Sequence, residues 1–104
     1  MDKKIPKTKW SAPQLEKHIR SESQNSGNVI FSTHARQRMK VRKITDAYAI
    51  QTLRKGQIKL KPELDKFTGD IKCRMEYFIG GIDVKIVVAV SDEDPELIVI
   101  TAID

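Results

Sequence analysis

"CRMEYFIGGIDVKIVVAV", Cys73 to Val90, changes the period of the chain from helical to two. Cys73, Met75, Tyr77 and Ile79 alternate with Arg74, Glu76 and Phe78, and Ile82, Val84, Ile86, Val88 and Val90 alternate with Asp83, Lys85, Val87 and Ala89. Successive side chains of a strand point to opposite faces, so this alternation marks two half-buried strands. Gly80-Gly81 between them suits the positive φ values of a two-residue hairpin turn. The last strand, "LIVITAI" at 97–103, is apolar at every second position and at most of those between, as is the second half of the strand before it. A sheet covered on one side only does not need apolar residues on both faces, so either the N-terminal helix or another chain should cover the second.

Upstream of the hairpin, Ile58 and Leu60 alternate with Lys59 and Lys61 in a short strand that Pro62 interrupts, and "PELDKFTGD" reads as a loop. Before Gly56 the spacing is helical. Ser11 can cap a helix from about Ala12 to Ser21, with Pro13 in its first turn and Leu15, His18 and Ile19 on one face. Val29 to Phe31 is apolar, and Ser32 and Thr33 offer capping oxygens to a helix running to about Lys40. Thr45 offers a cap to a third helix that ends at Gly56, which stands where a C-cap glycine belongs. The expected fold is α+β, N-terminal helices packed on a four-stranded antiparallel sheet arranged as a meander. Residues 1–10 read as a mobile basic arm and 11–104 as a single domain.

The net charge of +5 is unevenly placed: residues 1–60 hold 14 Lys/Arg against 4 Asp/Glu, and residues 61–104 hold 5 against 10. A basic helical half suits a polyanion, because neutralised phosphates release counterions, and it suits an acidic protein partner equally well. No run of 18 apolar residues and no apolar leader core is present, which points to a cytoplasmic protein of prokaryotic type with no membrane partner. The single Cys73 has no disulfide partner and reads as a small strand residue. No Cys/His cluster has zinc spacing, and Asp92, Glu93, Asp94 and Glu96 lie on a turn without calcium-loop spacing, so neither metal nor cofactor is expected.

"FSTHARQRMKVRKIT", 31–45, carries five of the basic side chains and one of the two histidines. On a helix Phe31, Ala35 and Met39 share an anchoring stripe, while His34, Arg38 and Arg42 share a second stripe beside it. Arg36, Lys40 and Lys43 fall elsewhere and read as solvated, available to an RNA backbone. An imidazole with guanidiniums is the equipment for cutting RNA without metal: a base for the 2′-hydroxyl, cations for the phosphate, an acid for the leaving oxygen. The structural reading of the same spacing is a His34 bonded to backbone and arginines lying over core edges.

The segment "FSTHARQRMKVRKIT", then "LRKGQI", the hairpin strand with Arg74 and the terminal "IVITAI", resembles the pattern F-S-x-H-A-x-x-R-M-x-x-R-x-I … G-x-I … ITVY of a prokaryotic domain family of unknown function. That family is grouped with the barnase, EndoU, colicin and RelE nucleases. The resemblance, over about Val29 to Ile103, implies a RelE-like fold and a metal-independent, toxin-like endoribonuclease acting on mRNA or tRNA. It places the site on His34, Arg38 and Arg42, with Arg74 as the addition from the sheet, and implies an acidic antitoxin or immunity-type partner. Ile103 stands where the family has an aromatic residue. The alternative is a catalytically inert interaction module that forms a homodimer or binds a partner through its C-terminal sheet.

Overall fold

The computed structural model describes residues 5–93 and 97–103. Residues 1–4 of the expected arm and 94–96 of the expected acidic turn lie outside the described residues.

Three helices form where the capping signals stand. In α1 (Ala12–Glu22) Ser11 and Gln14 make a reciprocal capping box, each side chain accepting from the other's backbone N–H at 3.3 and 2.8 Å, and Leu15 and Ile19 are fully buried. Ser32 rather than Thr33 caps α2 (Thr33–Arg42), its Oγ accepting from the Ala35 N–H. Thr45 caps α3 (Asp46–Lys55) by accepting from the Tyr48 N–H at 3.1 Å. Upstream, Lys7–Lys9 forms a single 3-10 turn, whose Lys7 N–H donates to Asp92 Oδ1 at 3.2 Å.

Among the described residues the sheet holds six strands, not four. They are β1 (Val29–Phe31), β2 (Gln57–Ile58), β3 (Glu63–Leu64), β4 (Ile71–Ile79), β5 (Ile82–Val90) and β6 (Leu97–Ile103), in spatial order β1-β6-β5-β4-β2 with β3 also paired to β4. The sheet is also mixed, because β1 runs parallel to β6 with Val29 opposite Leu97. Three residues of strand are too few to show a period, which is why the sequence marks Val29 to Phe31 only as an apolar lead-in. The strand expected at 58–61 stops after Ile58, leaving Leu60 54% exposed, and a second short strand forms beyond Pro62.

All three helices lie on one face. Along β4, Ile71, Cys73 and Met75 are buried while Lys72, Arg74 and Glu76 are half-buried. The buried set joins Leu15, Ile19, Ala35, Met39, Leu53 and Val99 in one core. Burying one such aliphatic side chain stabilises the fold by about 1.5–3 kcal/mol. The N-terminal helix therefore packs on the same face as the others, and the second face stays open with Val87, Ile98, Ile100 and Ile103 half-buried.

One irregularity shapes β6. Val87 pairs with Thr101 but Val88 pairs with Val99, so Ile100 is an extra residue, a β-bulge. The burial record skips a beat there: Leu97, Val99 and Ala102 are buried, while the neighbours Ile100 and Thr101 are both half-buried.

Two turns depend on glycine for different reasons. Gly80 and Gly81 take φ of +60° and +80°, as the expected hairpin turn requires. Gly56 does not cap α3 with a left-handed residue, since its φ is −75°. It is glycine because a Cβ there would collide with the carbonyl oxygens of Thr52 and Glu76, the latter at 2.8 Å, where the chain leaves α3 against β4.

Burial pushes the Cys73 thiol up from an ordinary value of 9.0 to about 12. Thiolate formation therefore favours the unfolded chain. Cys73 should not react with a thiol reagent at pH 8 until the protein unfolds, and its contribution to stability, intact below about pH 9, should be lost as pH rises from there towards 12. Stoichiometric thiol labelling of the native protein at pH 8 would contradict this.

Candidate nucleic-acid interface

The start of α2 is fixed by Ser32. Its N–H donates to the Val99 carbonyl at 2.9 Å and its Oγ donates to the Ile100 carbonyl at 3.3 Å, while the same Oγ accepts from the Ala35 N–H at 3.0 Å. Ala35 and Met39, one turn apart, go into the core as expected, with Phe31 packed partly against it from the end of β1. This docks one face of α2 on β6 and turns the rest outward.

The outward side is basic. His34 is exposed in the first turn, Arg38 is half-buried one turn on, and Lys40 and Lys43 are exposed. Among the described residues the side chains of these four make no hydrogen bond or ion pair. Arg42, the next residue on the His34 stripe, is half-buried with its Nε shielded from solvent. Arg36 is exposed, as its spacing predicts, and it is also paired. Its Nη1 donates to both carboxylate oxygens of Asp46 at 3.1 and 3.2 Å, and its guanidinium lies 4.8 Å from the centre of the Phe31 ring.

α2 therefore holds four Lys/Arg and no carboxylate, and Asp46 just beyond it meets one of them. Arg38 and Arg42 stand four apart, as do Arg36 and Lys40, and like charges at that spacing destabilise a helix by about 0.2–0.5 kcal/mol per pair.

The helix ends on a second cation held in an unusual backbone. Lys43 has φ +59° and ψ 36°, the one non-glycine residue at positive φ among the described residues. Its N–H donates to Lys40 O at 3.2 Å and the Ile44 N–H to Met39 O at 2.8 Å, the bond pair of a Schellman cap, and Met39 and Ile44 are both buried.

Not all of the basic half is available to a ligand. Arg20 donates from Nη2 and Nε to the Gly56 carbonyl at 2.6 and 3.0 Å, and Arg54 donates to the carbonyls of Ser23 and Gln24 at 2.7 and 2.9 Å. These two arginines tie α1 to α3 by meeting carbonyls left over at helix ends. Sequence spacing near a Gly or a loop cannot distinguish such a capping arginine from a ligand-binding one.

The structure divides the expected site. β4 alternation sends Arg74 to the face opposite Cys73 and Met75, whereas α2 packs with Cys73 and Met75. Arg74 donates to Glu76 Oε2 at 3.1 and 3.2 Å and lines a groove that includes no residue of α2. His34, Arg38 and Arg42 remain together on one stripe of one helix; Arg74 does not join them. Ile103 also lines the groove on the open face. Among the described residues no group of three or more His, Cys, Asp or Glu is placed to hold a metal ion, and no helix is long and apolar enough to cross a membrane.

Residues 31–104 match the family described as Domain of unknown function (DUF4258), so the match begins at Phe31, takes in all of α2 and leaves out α1. No curated protein and no solved structure matches the chain.

Lys43→Gly should stabilise the protein by about 1 kcal/mol, because glycine occupies the left-handed position without the Cβ strain of an L-residue. A urea midpoint unchanged or lowered in this variant would show that Lys43 is not strained there.

Proposed function

The chain belongs to the DUF4258 family, and from that premise we propose that it binds RNA through α2 and cuts it without a metal ion. The observation that carries this reading is the surplus charge of α2. Three cations and a histidine, Arg38, Lys40, Lys43 and His34, face outward without a partner among the described residues. A helix that keeps self-repelling charge fits a ligand that supplies the opposite charge, and single-stranded RNA is such a ligand.

The chemistry follows from the stripe. His34 and Arg38 lie one helical turn apart, about 5–6 Å between their Cβ atoms. An imidazole takes the proton of a ribose 2′-hydroxyl, that oxygen bonds to the adjacent phosphorus as the P–O5′ bond breaks, and the imidazolium returns the proton, through water, to the departing 5′ oxygen. The products are a 2′,3′-cyclic phosphate and a 5′-hydroxyl. His34 serves as the acid–base group, because an imidazole ring can accept a proton on one nitrogen and donate one from the other. Arg38 forks onto the phosphate oxygens as charge develops, with Arg42 next on the stripe. Lys40 and Lys43 hold neighbouring phosphates as point charges. Arg36, held by Asp46 and Phe31, shapes the start of the helix, and Arg74 acts elsewhere.

Helices on one face of a mostly antiparallel sheet support the RelE-like grouping that the sequence motif implies. On that reading the protein is a toxin-like enzyme of the cytoplasm directed at mRNA or tRNA, with an acidic antitoxin or immunity-type protein as the competitor for α2.

A labelled single-stranded RNA of about 20 nucleotides, followed by anisotropy and by gel in the presence of EDTA, tests the proposal. With three to four phosphates held, log affinity should fall against log salt with a slope of about −2 to −3. His34→Ala should bind as tightly as the parent and cut about 100-fold or more slowly, whereas Arg38→Ala should weaken both. RNA that stays intact, or is cut equally by His34→Ala, would rule out the catalytic role, and a salt-independent affinity would rule out α2 as the phosphate-binding surface.

A further inference from the structure

The uncovered face of the sheet carries a second surface with its own chemistry. A groove of about 320 Å³ runs between β4, β5, β6 and the connection after β2. Leu60, Val87, Ile100 and Ile103 give it an aliphatic lining. Lys61, Lys72 and Arg74 supply its cations, against Glu63 among its described lining residues and Glu76 behind Arg74, three cations to two carboxylates. At the bulge Ile100 and Thr101 both contribute to the lining, where a regular strand would contribute one. Arg74 is held in place by Glu76, whose side chain is 11% exposed, so this cation is fixed in direction before any ligand arrives.

We infer that this groove docks an acidic, aliphatic peptide segment of another protein. Two features of the lining choose the occupant. Its cations outnumber the carboxylates beside them among the described residues, with Lys61 exposed at its edge, and this selects an acidic ligand. Its aliphatic character selects side chains over bases: no aromatic ring is among its described lining residues, and its one planar group, the Arg74 guanidinium, is engaged by Glu76. An extended peptide in which Asp or Glu alternates with Ile, Leu or Val meets both demands, since its period of two separates apolar from charged side chains. The surface lies across the sheet from α2, so the inference does not rest on the ribonuclease reading.

Selection from a random 12-residue peptide library on the immobilised full chain tests it. The enriched peptides should alternate acidic and aliphatic residues. They should bind Lys61→Glu/Lys72→Glu about tenfold or more weakly than the parent, and Arg38→Ala/Lys40→Ala as tightly as the parent. Lys61→Glu alone, at an exposed loop position, gives the same direction should the double variant melt early. The inference is overturned if no acidic-aliphatic consensus emerges, if the selected peptides ignore the charge reversals, or if those reversals abolish binding of a 20-nucleotide RNA instead. A dimer in gel filtration that Lys61→Glu dissociates would also overturn it, by making a second copy the occupant.

Discussion

Ser32 stands between β1 and α2 and joins both to β6, almost at the other end of the sequence. Its N–H and Oγ donate to consecutive carbonyls of β6, those of Val99 and Ile100, while the Oγ also accepts from the Ala35 N–H in the first turn of α2. A half-buried hydroxyl that donates once and accepts once is well satisfied, and each bond contributes about 0.5–1.5 kcal/mol net. The constraint sets the direction in which α2 leaves β1, and with it the face that Ala35 and Met39 bury. Once that face is buried, His34 and Arg38 have nowhere to go but the rim and the solvent. The basic surface is thus a consequence of how the helix is anchored.

The same junction shapes the opposite side of the sheet. The bulge gives β6 one residue more than β5 at this point, and Ser32 meets the carbonyl of that extra residue, Ile100. A ladder irregularity that would otherwise leave a polar group short of a partner is stabilised by the helix cap. Its side-chain consequence is on the open face, where Ile100 and Thr101 line the groove together. Two surfaces of different chemistry, one cationic and helical, one aliphatic with fixed charges, therefore share a single structural origin.

Much of this was legible in the sequence, for reasons that can be named residue by residue. Ser11, Ser32 and Thr45 announced three helices because a capping hydroxyl is a local signal. The alternation around Gly80-Gly81 announced β4 and β5 because nine-residue strands with one buried face repeat their pattern enough times to be read. The short β1 and β3 escaped for the opposite reason, and β1 also because its partner β6 lies in parallel almost at the other end of the chain, while β2 was expected but with a longer reach. Within the candidate site, the His34 stripe was legible because helical spacing is a property of neighbours. The separation of Arg74 from that stripe was not, since it depends on which face of the sheet the helices choose. The roles of Arg20 and Arg54 as clamps between α1 and α3, and of Arg36 as the partner of Asp46, depend equally on tertiary neighbours.

Amide hydrogen exchange in Ser32→Ala, read beside its urea unfolding curve, tests the anchoring directly. Loss of the hydroxyl should cost about 1–2 kcal/mol and should speed exchange at the Ala35 amide while leaving the Met75 and Ile86 amides of the central hairpin protected in proportion to global stability. Unchanged stability together with unchanged protection at Ala35 would contradict the account, because the direction of α2 and the surface it presents would then be set by something other than Ser32.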